Sequence, residues 1–242
     1  MFSYIWHTFF FDPVYNGLIF FVDKVPGGDV GIAIILTTIV IKLILLPLSI
    51  KAAKTQKIMR EIEPKLREVR EEHKDNREQQ AQAMLGVYRE AGMNPFSAIF
   101  VIILQIPLVI ALYLSVWGYA DYSLPDINVD ILYRFVSAPV DISMQFLGLI
   151  DMGGRSFLLA ALAGITMFFQ MRFVMPALPP KDPKATPSFQ DDLKRNLQTQ
   201  IRYVMPVLIT VVAYVISAAI ALYFVVSNVV AILQELYIRR HR

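Results

Sequence analysis

Four long apolar stretches divide the chain, and they hold almost no charge. Residues 30–50 have Lys42 as their single charged side chain, while residues 91–120, 156–171 and 203–234 have none. A membrane-spanning helix needs about 20 predominantly apolar residues, so each stretch is a candidate to enter a bilayer. The last stretch would form a helix of about 48 Å, well beyond a hydrocarbon core of about 30 Å, and is therefore too long for one upright span.

The basic residues form three clusters that alternate with the apolar stretches. Nineteen of the 23 Lys and Arg residues lie in residues 51–89, 172–202 and 239–242. Short loops rich in Lys and Arg face the cytoplasm, so these three segments are predicted to lie inside. The last apolar stretch then has both flanks in the cytoplasm and must cross twice, with a turn near residues 217–219.

The composition agrees with a membrane protein, because 56% of the 242 residues are hydrophobic, 18% are charged and the mean hydropathy is +0.51. Soluble domains carry about 25% charged residues. We therefore predict an all-α integral membrane protein with five transmembrane helices, its N-terminus outside and its C-terminus inside. The predicted segments are an outer-face amphipathic helix and hinge (1–29), the first span (30–50), a cytoplasmic helical hairpin (51–91), the second span (95–119), an external loop (120–155), the third span (156–176), a cytoplasmic loop (177–200), the fourth span (201–217), the fifth span (219–238) and a basic tail (239–242).

The first 29 residues are rich in aromatic side chains and have no Lys or Arg before Lys24. A signal peptide begins with a basic region, which this segment lacks. We expect an amphipathic helix that lies in the outer membrane interface and is broken at Asp12–Pro13. Pro26–Gly28 is the predicted hinge into the first span.

Residues 51–91 are strongly polar and carry two apolar stripes at helical spacing, separated by His73–Asn76. Two such stripes can pack together in an antiparallel helical hairpin. Glu61 with Lys65, and Glu63 with Arg67, are predicted ion pairs one turn apart. The segment is either a solvated linker or a docking arm at the cytoplasmic face. The stripe residues are Ile58, Ile62, Leu66 and Val69 in the first helix and Ala81, Met84, Leu85 and Tyr88 in the second.

Lys42 is the most informative residue because it lies near the middle of an apolar stretch. A charge at the centre of a span costs about 2.5 to 3.5 kcal/mol on insertion scales. The charge-free stretches contain no acidic residue that could neutralise it. We therefore expect water to solvate Lys42 in a hydrophilic cavity that opens to the cytoplasm.

Such a cavity needs polar lining, and every predicted span offers some. Thr38 and Ser49 are expected on the same helical face as Lys42, one turn before it and two turns after it. Each of these polar residues could instead be an ordinary interhelical hydrogen-bonding group. The candidates from the other spans are Gln105, Gln170, Thr210, Ser227 and Asn228.

The residues that most enzymes need are missing. The chain has no cysteine, which excludes disulfides, thiol nucleophiles and Cys-ligated zinc. Its three histidines are scattered without metal-ligand spacing, and no glycine-rich nucleotide loop occurs. We expect neither an enzyme nor a metal or other cofactor, and a net charge of +3 gives no reason to expect nucleic acid as a partner.

Several short sequence motifs, in the same order along the chain, resemble those of the YidC/Oxa1/Alb3 family of membrane protein insertases. The resemblance covers nearly the whole chain from about Asp12, and it is closest to bacterial members that lack a large periplasmic domain. The motifs are Ile41-Lys42-Leu43-Ile44-Leu45-Leu46-Pro47-Leu48, Asn94-Pro95-Phe96, Leu104-Gln105-Ile106-Pro107 and Leu222-Tyr223-Phe224-Val225-Val226-Ser227-Asn228.

The resemblance implies an insertase and chaperone of the bacterial inner membrane. In this family the basic residue of the first span, here Lys42, lies in a groove open to cytoplasm and lipid and attracts acidic residues of a client's translocated tail. Thr38 and Tyr223 match positions that touch the client helix, and the hairpin matches an arm that receives clients. The implied partners are nascent membrane proteins and lipids, with the ribosome and the Sec translocon as further candidates.

The chain departs from the family pattern at three places. The basic position is commonly arginine rather than lysine, Ser217-Ala218-Ala219 replaces a frequent Pro-Ser-Gly, and the basic tail is short. Two other functions stay open at this point. One is a small-solute channel or transporter that uses the polar intramembrane pocket, and the other is a passive scaffold for membrane-protein assembly.

Overall fold

A computed structural model describes residues 2–92, 96–118, 122–174 and 189–240, and these residues are mostly helical. Asn94–Pro95, the proline-rich residues 176–187 and the end of the tail lie outside the described residues. The elements are α1 (Phe2–Trp6), a π-helical turn (His7–Phe11), α2 (Asp12–Lys24), a 3₁₀ turn (Pro26–Gly28), α3 (Val30–Ile44), α4 (Leu46–Glu72), α5 (Arg77–Glu90), α6 (Phe96–Trp117), a second 3₁₀ turn (Val129–Ile131), β1 (Gln145–Phe146), β2 (Ile150–Asp151), α7 (Phe157–Val174), α8 (Phe189–Ile216) and α9 (Ala218–Arg240).

Among the described residues, three helices are long and apolar enough to cross a membrane: α7, residues 196–216 of α8, and residues 218–238 of α9. Helix α3 and the first part of α4 supply a fourth candidate if they are taken together across the break at Leu45. The apolar part of α6 that qualifies, Ile103–Trp117, is shorter. The chain is thus an all-α membrane protein whose described part holds three or four candidate spans, and the five-span count stays a prediction.

The chain forms two compact units. The first unit comprises Met1–Lys42 and Leu108–Arg242, and the second comprises Leu43–Pro107. The first unit contains a buried apolar cluster, built from α2, α3, the end of α6 and the three helices α7, α8 and α9.

Helices α7 and α9 of the first unit run in the same direction. The start of α9 is bonded just before α7, because Ala218 N–H donates to the Gly154 carbonyl at 2.8 Å. Ten residues further along α9, Asn228 Nδ2 donates to the carbonyl of Ala163 at 3.2 Å. The residue of α9 that is later in the chain contacts the residue of α7 that is later in the chain, so α7 and α9 are parallel.

Helix α8 runs opposite to α7. The ring of Phe157 at the start of α7 lies 6.3 Å from the ring of Tyr214 near the end of α8, and Phe168 lies 6.2 Å from Tyr203. Helix α8 therefore ends at Ile216 beside the start of α7, and Ser217 links it to α9. The Ser217 hydroxyl accepts a bond from Ile220 N–H at 3.3 Å, which caps α9. The break between the two helices thus falls at Ser217, inside the predicted turn at residues 217–219, while Ala218 and Ala219 already belong to α9.

Helix α8 begins earlier than expected. Residues 189–200, which were predicted to belong to the cytoplasmic loop (177–200), are helical and continuous with the fourth predicted span. This stretch mixes charged and apolar residues and contains no helix-breaking proline, so it extends the helix beyond the apolar stretch.

The N-terminal segment is helical from Phe2 to Lys24, so the predicted break at Asp12–Pro13 is wrong. Pro13 lies in the first turn of α2, where a missing N–H is tolerated, and the π-helical turn precedes it. One face of α2 is buried, as an amphipathic helix requires, and contains Val14, Tyr15, Leu18, Ile19 and Val22. The location of this helix in the outer interface stays a prediction.

Helix α2 holds the loop of residues 122–155 through two buried side chains. Asn16 Nδ2 donates to the carbonyl of Ile131 at 2.9 Å, and Asn16 Oδ1 accepts from Tyr133 N–H at 2.6 Å. The Tyr15 hydroxyl accepts from Asn128 N–H at 2.8 Å. Burial raises the pKa of the Tyr15 phenol, which stays neutral at physiological pH.

The second unit contains the predicted helical hairpin, made by α4 and α5. Helix α4 begins at Leu46 rather than at residue 51, and Asn76 caps α5 by accepting from Glu78 and Gln79 N–H, each at 3.1 Å. Gln80 Nε2 donates to the Arg70 carbonyl at 3.0 Å, which joins the two helices. The hairpin therefore has the predicted turn and a longer first helix.

The two stripes of the hairpin differ in how they pack. Leu66 is only 1% exposed, whereas Leu85 is 48% exposed and contributes little to the packing. The ion pair of Glu63 with Arg67 is present at 3.7 Å. Glu61 lies 3.6 Å from Lys57, one turn before it, instead of pairing with Lys65 after it.

Candidate functional site

Lys42 lies in the last turn of α3 and is half-buried. Helix α3 ends at Ile44 because Pro47, in the first turn of α4, has no N–H to continue the helical ladder. The basic group therefore sits near a helix C-terminus, where the partial negative charge of the carbonyl groups favours a cation. The polypeptide positions Lys42 at a break in the predicted first span rather than in its unbroken middle.

Ser49 and Lys42 belong to different helices, because α3 ends at Ile44 and α4 begins at Leu46. The shared face expected for them stays a prediction. Ser49 belongs to α4 in the second unit, where its hydroxyl donates to the carbonyl of Leu45 at 3.1 Å. Gln105 is half-buried on α6, also in the second unit.

Thr38 is buried one turn before Lys42. Its hydroxyl donates to the carbonyl of Ile34 at 2.7 Å, so its one donor hydrogen is used within α3. The neighbouring Thr37, which the sequence analysis did not select, is also buried, and its Oγ1 has no hydrogen-bond partner among the described residues. Its Cγ2 atom lies beside Gly17 of α2. A buried hydroxyl without a protein hydrogen-bond partner normally bonds to an ordered water molecule.

Asn228 joins two of the candidate spans. Its Nδ2 donates to the Thr166 hydroxyl at 3.1 Å, in addition to the bond to Ala163 described above. The side chain thus holds α9 against α7, which is the interhelical role that the sequence left open for each polar residue. Ser227 and Tyr223 are buried on the same helix, and the Tyr223 ring lies edge to face with Phe224 at 5.6 Å.

Gln170 on α7 and Gln234 on α9 place a second pair of polar side chains further along the same two helices. Gln170 Oε1 and Gln234 Nε2 are buried, and neither atom has a hydrogen-bond partner among the residues described. Gln170 lies one turn beyond Thr166, and Gln234 lies six residues beyond Asn228, so the parallel helices carry both amides toward the same end. Buried amides without a protein partner are normally satisfied by water. We therefore expect water to enter the contact between α7 and α9 near Gln170 and Gln234.

Sequence reasoning selected Gln170 but missed Gln234. Gln234 stands seven residues after Ser227, which places both on one helical face, and it ends the charge-free stretch. That spacing is the sequence signal that points to Gln234.

Thr210 has a packing role on α8. Its hydroxyl donates to the carbonyl of Pro206 at 3.0 Å, and its side chain meets α7 at Gly164. A Cβ atom at residue 164 would collide with Thr210 Oγ1, so α7 and α8 approach closely there. Close contact through small residues is typical of helices packed in a membrane.

The comparisons with known proteins agree on one family. The model of the family described as "60Kd inner membrane protein" matches residues 21–242. The membrane protein insertase YidC of Syntrophobacter fumaroxidans is 32% identical over 241 residues, which are 99% of this chain and 39% of that protein. The protein of the same name from Oceanobacillus iheyensis is 31% identical over 241 residues, which are 98% of this chain and 84% of that protein.

The relatives differ in length, as a third example shows. The membrane protein insertase YidC of Methylobacillus flagellatus is 32% identical over 210 residues, and the match covers 87% of this chain and 32% of that protein. The chain thus spans about two fifths or less of some relatives and most of others. Taken with its apolar spanning helices, the match shows that the chain is a multi-pass protein of the bacterial inner membrane and belongs to the 60Kd inner membrane protein family, the membrane protein insertases.

Proposed function

We propose that this protein receives transmembrane segments of client proteins from the cytoplasm and passes them through a polar, lipid-open groove into the bilayer. The observation that carries the proposal is the half-buried Lys42 at the broken end of α3, within an otherwise apolar stretch. A basic group in such a place attracts the acidic residues of a client's short translocated tail. The proposed activity moves a polypeptide and requires no covalent chemistry.

The energy for insertion comes from the client. Each Å² of apolar surface that leaves water contributes about 25 cal/mol, so a hydrophobic helix moves into lipid spontaneously once its polar end has crossed. The barrier is the desolvation of that polar end. Water held near the buried amides of Gln170 and Gln234, together with the Lys42 charge, lowers this barrier without any external energy source.

The proposed groove has to open during the cycle. Thr38 and Tyr223, the two positions proposed to touch the client, are 1% and 3% exposed. A client helix can reach them only when neighbouring helices move apart. We therefore assign the described arrangement to the state before a client binds.

Photocrosslinking tests this proposal at two buried positions. A photoreactive residue in place of Thr38 or Tyr223 should crosslink to a single-span client that is still attached to the ribosome. Leu18 is the matched control, since it is fully buried on α2 and lies outside the proposed groove. Crosslinks at both groove positions and none at Leu18 would support the proposal. A preparation that inserts the client without any crosslink at Thr38 or Tyr223 would overturn it.

We also propose the five-span arrangement with the N-terminus outside. The parallel course of α7 and α9, and the opposite course of α8, support alternation of the last three spans. Under this arrangement α6 is the second span, and α3 with the start of α4 is the first. Cysteines introduced singly into the cysteine-free chain, at Asp126 and at Lys74, should react with impermeant reagents from opposite sides of the membrane.

The α4–α5 hairpin is proposed as the arm that receives clients, and the ribosome and Sec translocon are proposed as further partners. Its helices carry many exposed charges around a narrow apolar contact centred on Leu66. Such a hairpin can bind and release a partly hydrophobic segment without losing its own solubility.

Replacing Leu66 with aspartate is expected to separate the two helices of the hairpin and to lower client insertion severalfold. A carboxylate at this 1% exposed position would be buried without a partner, which typically costs several kcal/mol. Leu85→Asp is the matched control, because residue 85 is 48% exposed. Insertion into proteoliposomes, measured by protease protection, gives the comparison. Equal loss in both variants, or no loss in Leu66→Asp despite increased proteolysis of the hairpin, would contradict a role for the packed arm.

A further inference from the structure

The β1–β2 hairpin presents two exposed leucines at its tip. The strands pair in antiparallel register, with Gln145 opposite Asp151 and Phe146 opposite Ile150. The three residues that join them are Leu147, Gly148 and Leu149. Leu147 is 62% exposed and Leu149 is 82% exposed. Hairpin turns usually carry Asn, Asp or Gly, so an apolar tip needs an explanation.

The backbone of the tip adopts a conformation that leucine rarely occupies. Leu147 has φ of 52° and is the single non-glycine residue with positive φ in the described part of the chain. Gly148 follows with φ of 71°. Asparagine or glycine would adopt the Leu147 conformation with less strain. The leucine therefore occupies this position at a conformational disadvantage, which points to a role for its side chain.

The hairpin is fixed at the ends of three helices. Val30 N–H, at the start of α3, donates to the Ser143 carbonyl at 3.0 Å, and Leu147 N–H donates to Asp29 Oδ2 at 2.7 Å. Ala219 N–H, at the start of α9, donates to the Met152 carbonyl at 3.2 Å. Helix α7 follows directly, from Phe157.

This attachment sets the depth of the hairpin. Candidate spans begin at Phe157 and at Ala218, so the residues bonded to these helix ends lie at the boundary between lipid and water. The hairpin is also packed tightly, because a Cβ atom at Gly31 would collide with the Phe146 ring. It therefore has little freedom to turn its tip away from that boundary.

We propose that the tip of the hairpin, residues 147–149, inserts into the adjacent membrane leaflet and anchors the 122–155 loop to lipid. Its occupant is the headgroup and upper acyl-chain region of the bilayer, which takes up leucine side chains favourably. The charged Asp151 lies at the base of the hairpin, opposite Gln145, and its Oδ1 accepts from Gly153 N–H at 3.0 Å. The hairpin thus changes from polar at its base to apolar at its tip, as a structure that enters a membrane tip first requires.

The tip has no basic side chain, so the interaction is hydrophobic. Residues 140–154 contain Asp141 and Asp151 and no Lys or Arg. Insertion should therefore be equally strong in zwitterionic and anionic bilayers. A surface that recognised anionic lipid headgroups would instead weaken in zwitterionic vesicles and at high salt.

Depth-dependent quenching tests the proposal on the full chain, which has no cysteine of its own. Leu147→Cys and Leu149→Cys variants carry an environment-sensitive fluorophore and are reconstituted at low protein density into phosphatidylcholine vesicles. Nitroxide lipids labelled near the headgroup end of the acyl chain should quench both labels at least threefold more than a label on Asp126→Cys, an exposed position in the same loop. Iodide, a water-soluble quencher present on both sides of the membrane, should quench the label at residue 126 more than the labels at residues 147 and 149.

One further control and two contrary outcomes make the result decisive. A label on Gln145→Cys, exposed at the base of the hairpin, should be quenched by lipid and by iodide to the same extent as the label on Asp126→Cys. This result excludes insertion driven by the fluorophore itself. Labels at residues 147 and 149 that are quenched no more by lipid than the label at residue 126 would overturn the proposal. Shielding that develops only after a client is added would also overturn it, because the tip would then bind protein rather than lipid.

Discussion

Replacing Lys42 with alanine is expected to lower the insertion of a client with an acidic translocated tail about tenfold, which corresponds to about 1.4 kcal/mol. Two opposite charges 4 Å apart attract by about 1 kcal/mol in bulk water and by about 4 kcal/mol at an effective dielectric constant of about 20. Because Lys42 is half-buried, we expect its attraction to an acidic residue to lie between these two values. Purified protein in proteoliposomes, with protease protection of the client tail as readout, gives the measurement.

Matched clients separate the effect of the charge from that of the fold. A client whose tail carries Asn and Gln in place of Asp and Glu should insert equally well with the parent protein and with Lys42→Ala. Lys42→Arg should retain insertion of the acidic client because it keeps the positive charge. Lys42→Glu should favour a tail that carries lysine. Full insertion of the acidic client by Lys42→Ala, with loss of insertion only when the hairpin is deleted, would contradict the groove and favour a passive scaffold.

The break between the last two helices was predictable, and its position follows from the chain itself. A charge-free stretch of 32 residues with basic flanks at Arg202 and Arg239 cannot form one span, and Ser217 lies at its middle. Serine is a favoured helix N-cap, and here it caps α9. Charge distribution and length therefore defined two helices without any tertiary information.

The break at Leu45 shows where such reasoning stops. Pro47 was visible in the sequence, and a proline inside a helix either bends it or ends it. Pro64, Pro107 and Pro206 all lie within continuous helices, so proline alone does not distinguish the two outcomes. At Pro47 the missing N–H coincides with the end of α3 at Ile44 and the start of a new helix at Leu46, an outcome that the sequence alone does not specify.

The candidate site was only partly accessible from sequence for a similar reason. The polar residues of the spans could be counted, but periodicity does not tell a side chain that joins helices from one that lines a cavity. Asn228 joins α9 to α7, whereas Gln170 Oε1 is buried and has no hydrogen-bond partner in the described structure. The exposed tip at Leu147 and Leu149 was also not foreseen, because two-residue strands leave no periodic pattern.

Replacing Gly164 with alanine is expected to destabilise the protein by about 1 to 3 kcal/mol through overpacking between α7 and α8. The added Cβ atom would collide with Thr210 Oγ1 and would lie 3.0 Å from the Pro206 carbonyl oxygen. A change of this size should lower the thermal unfolding midpoint by several degrees. The midpoint is measured on detergent-solubilised protein from the loss of the monodisperse peak in size-exclusion chromatography after heating.

The same substitution elsewhere in the chain should act with the opposite sign. Gly86 lies inside α5, and a Cβ atom there meets nothing within 4 Å. Gly86→Ala should therefore stabilise its helix by up to about 1 kcal/mol through higher helix propensity. Thr210→Ala removes the colliding oxygen, so Gly164→Ala combined with Thr210→Ala should lose less than the sum of the two single variants. Additive losses, or a Gly164→Ala variant as stable as the parent, would mean that α7 and α8 are not in close contact at this point.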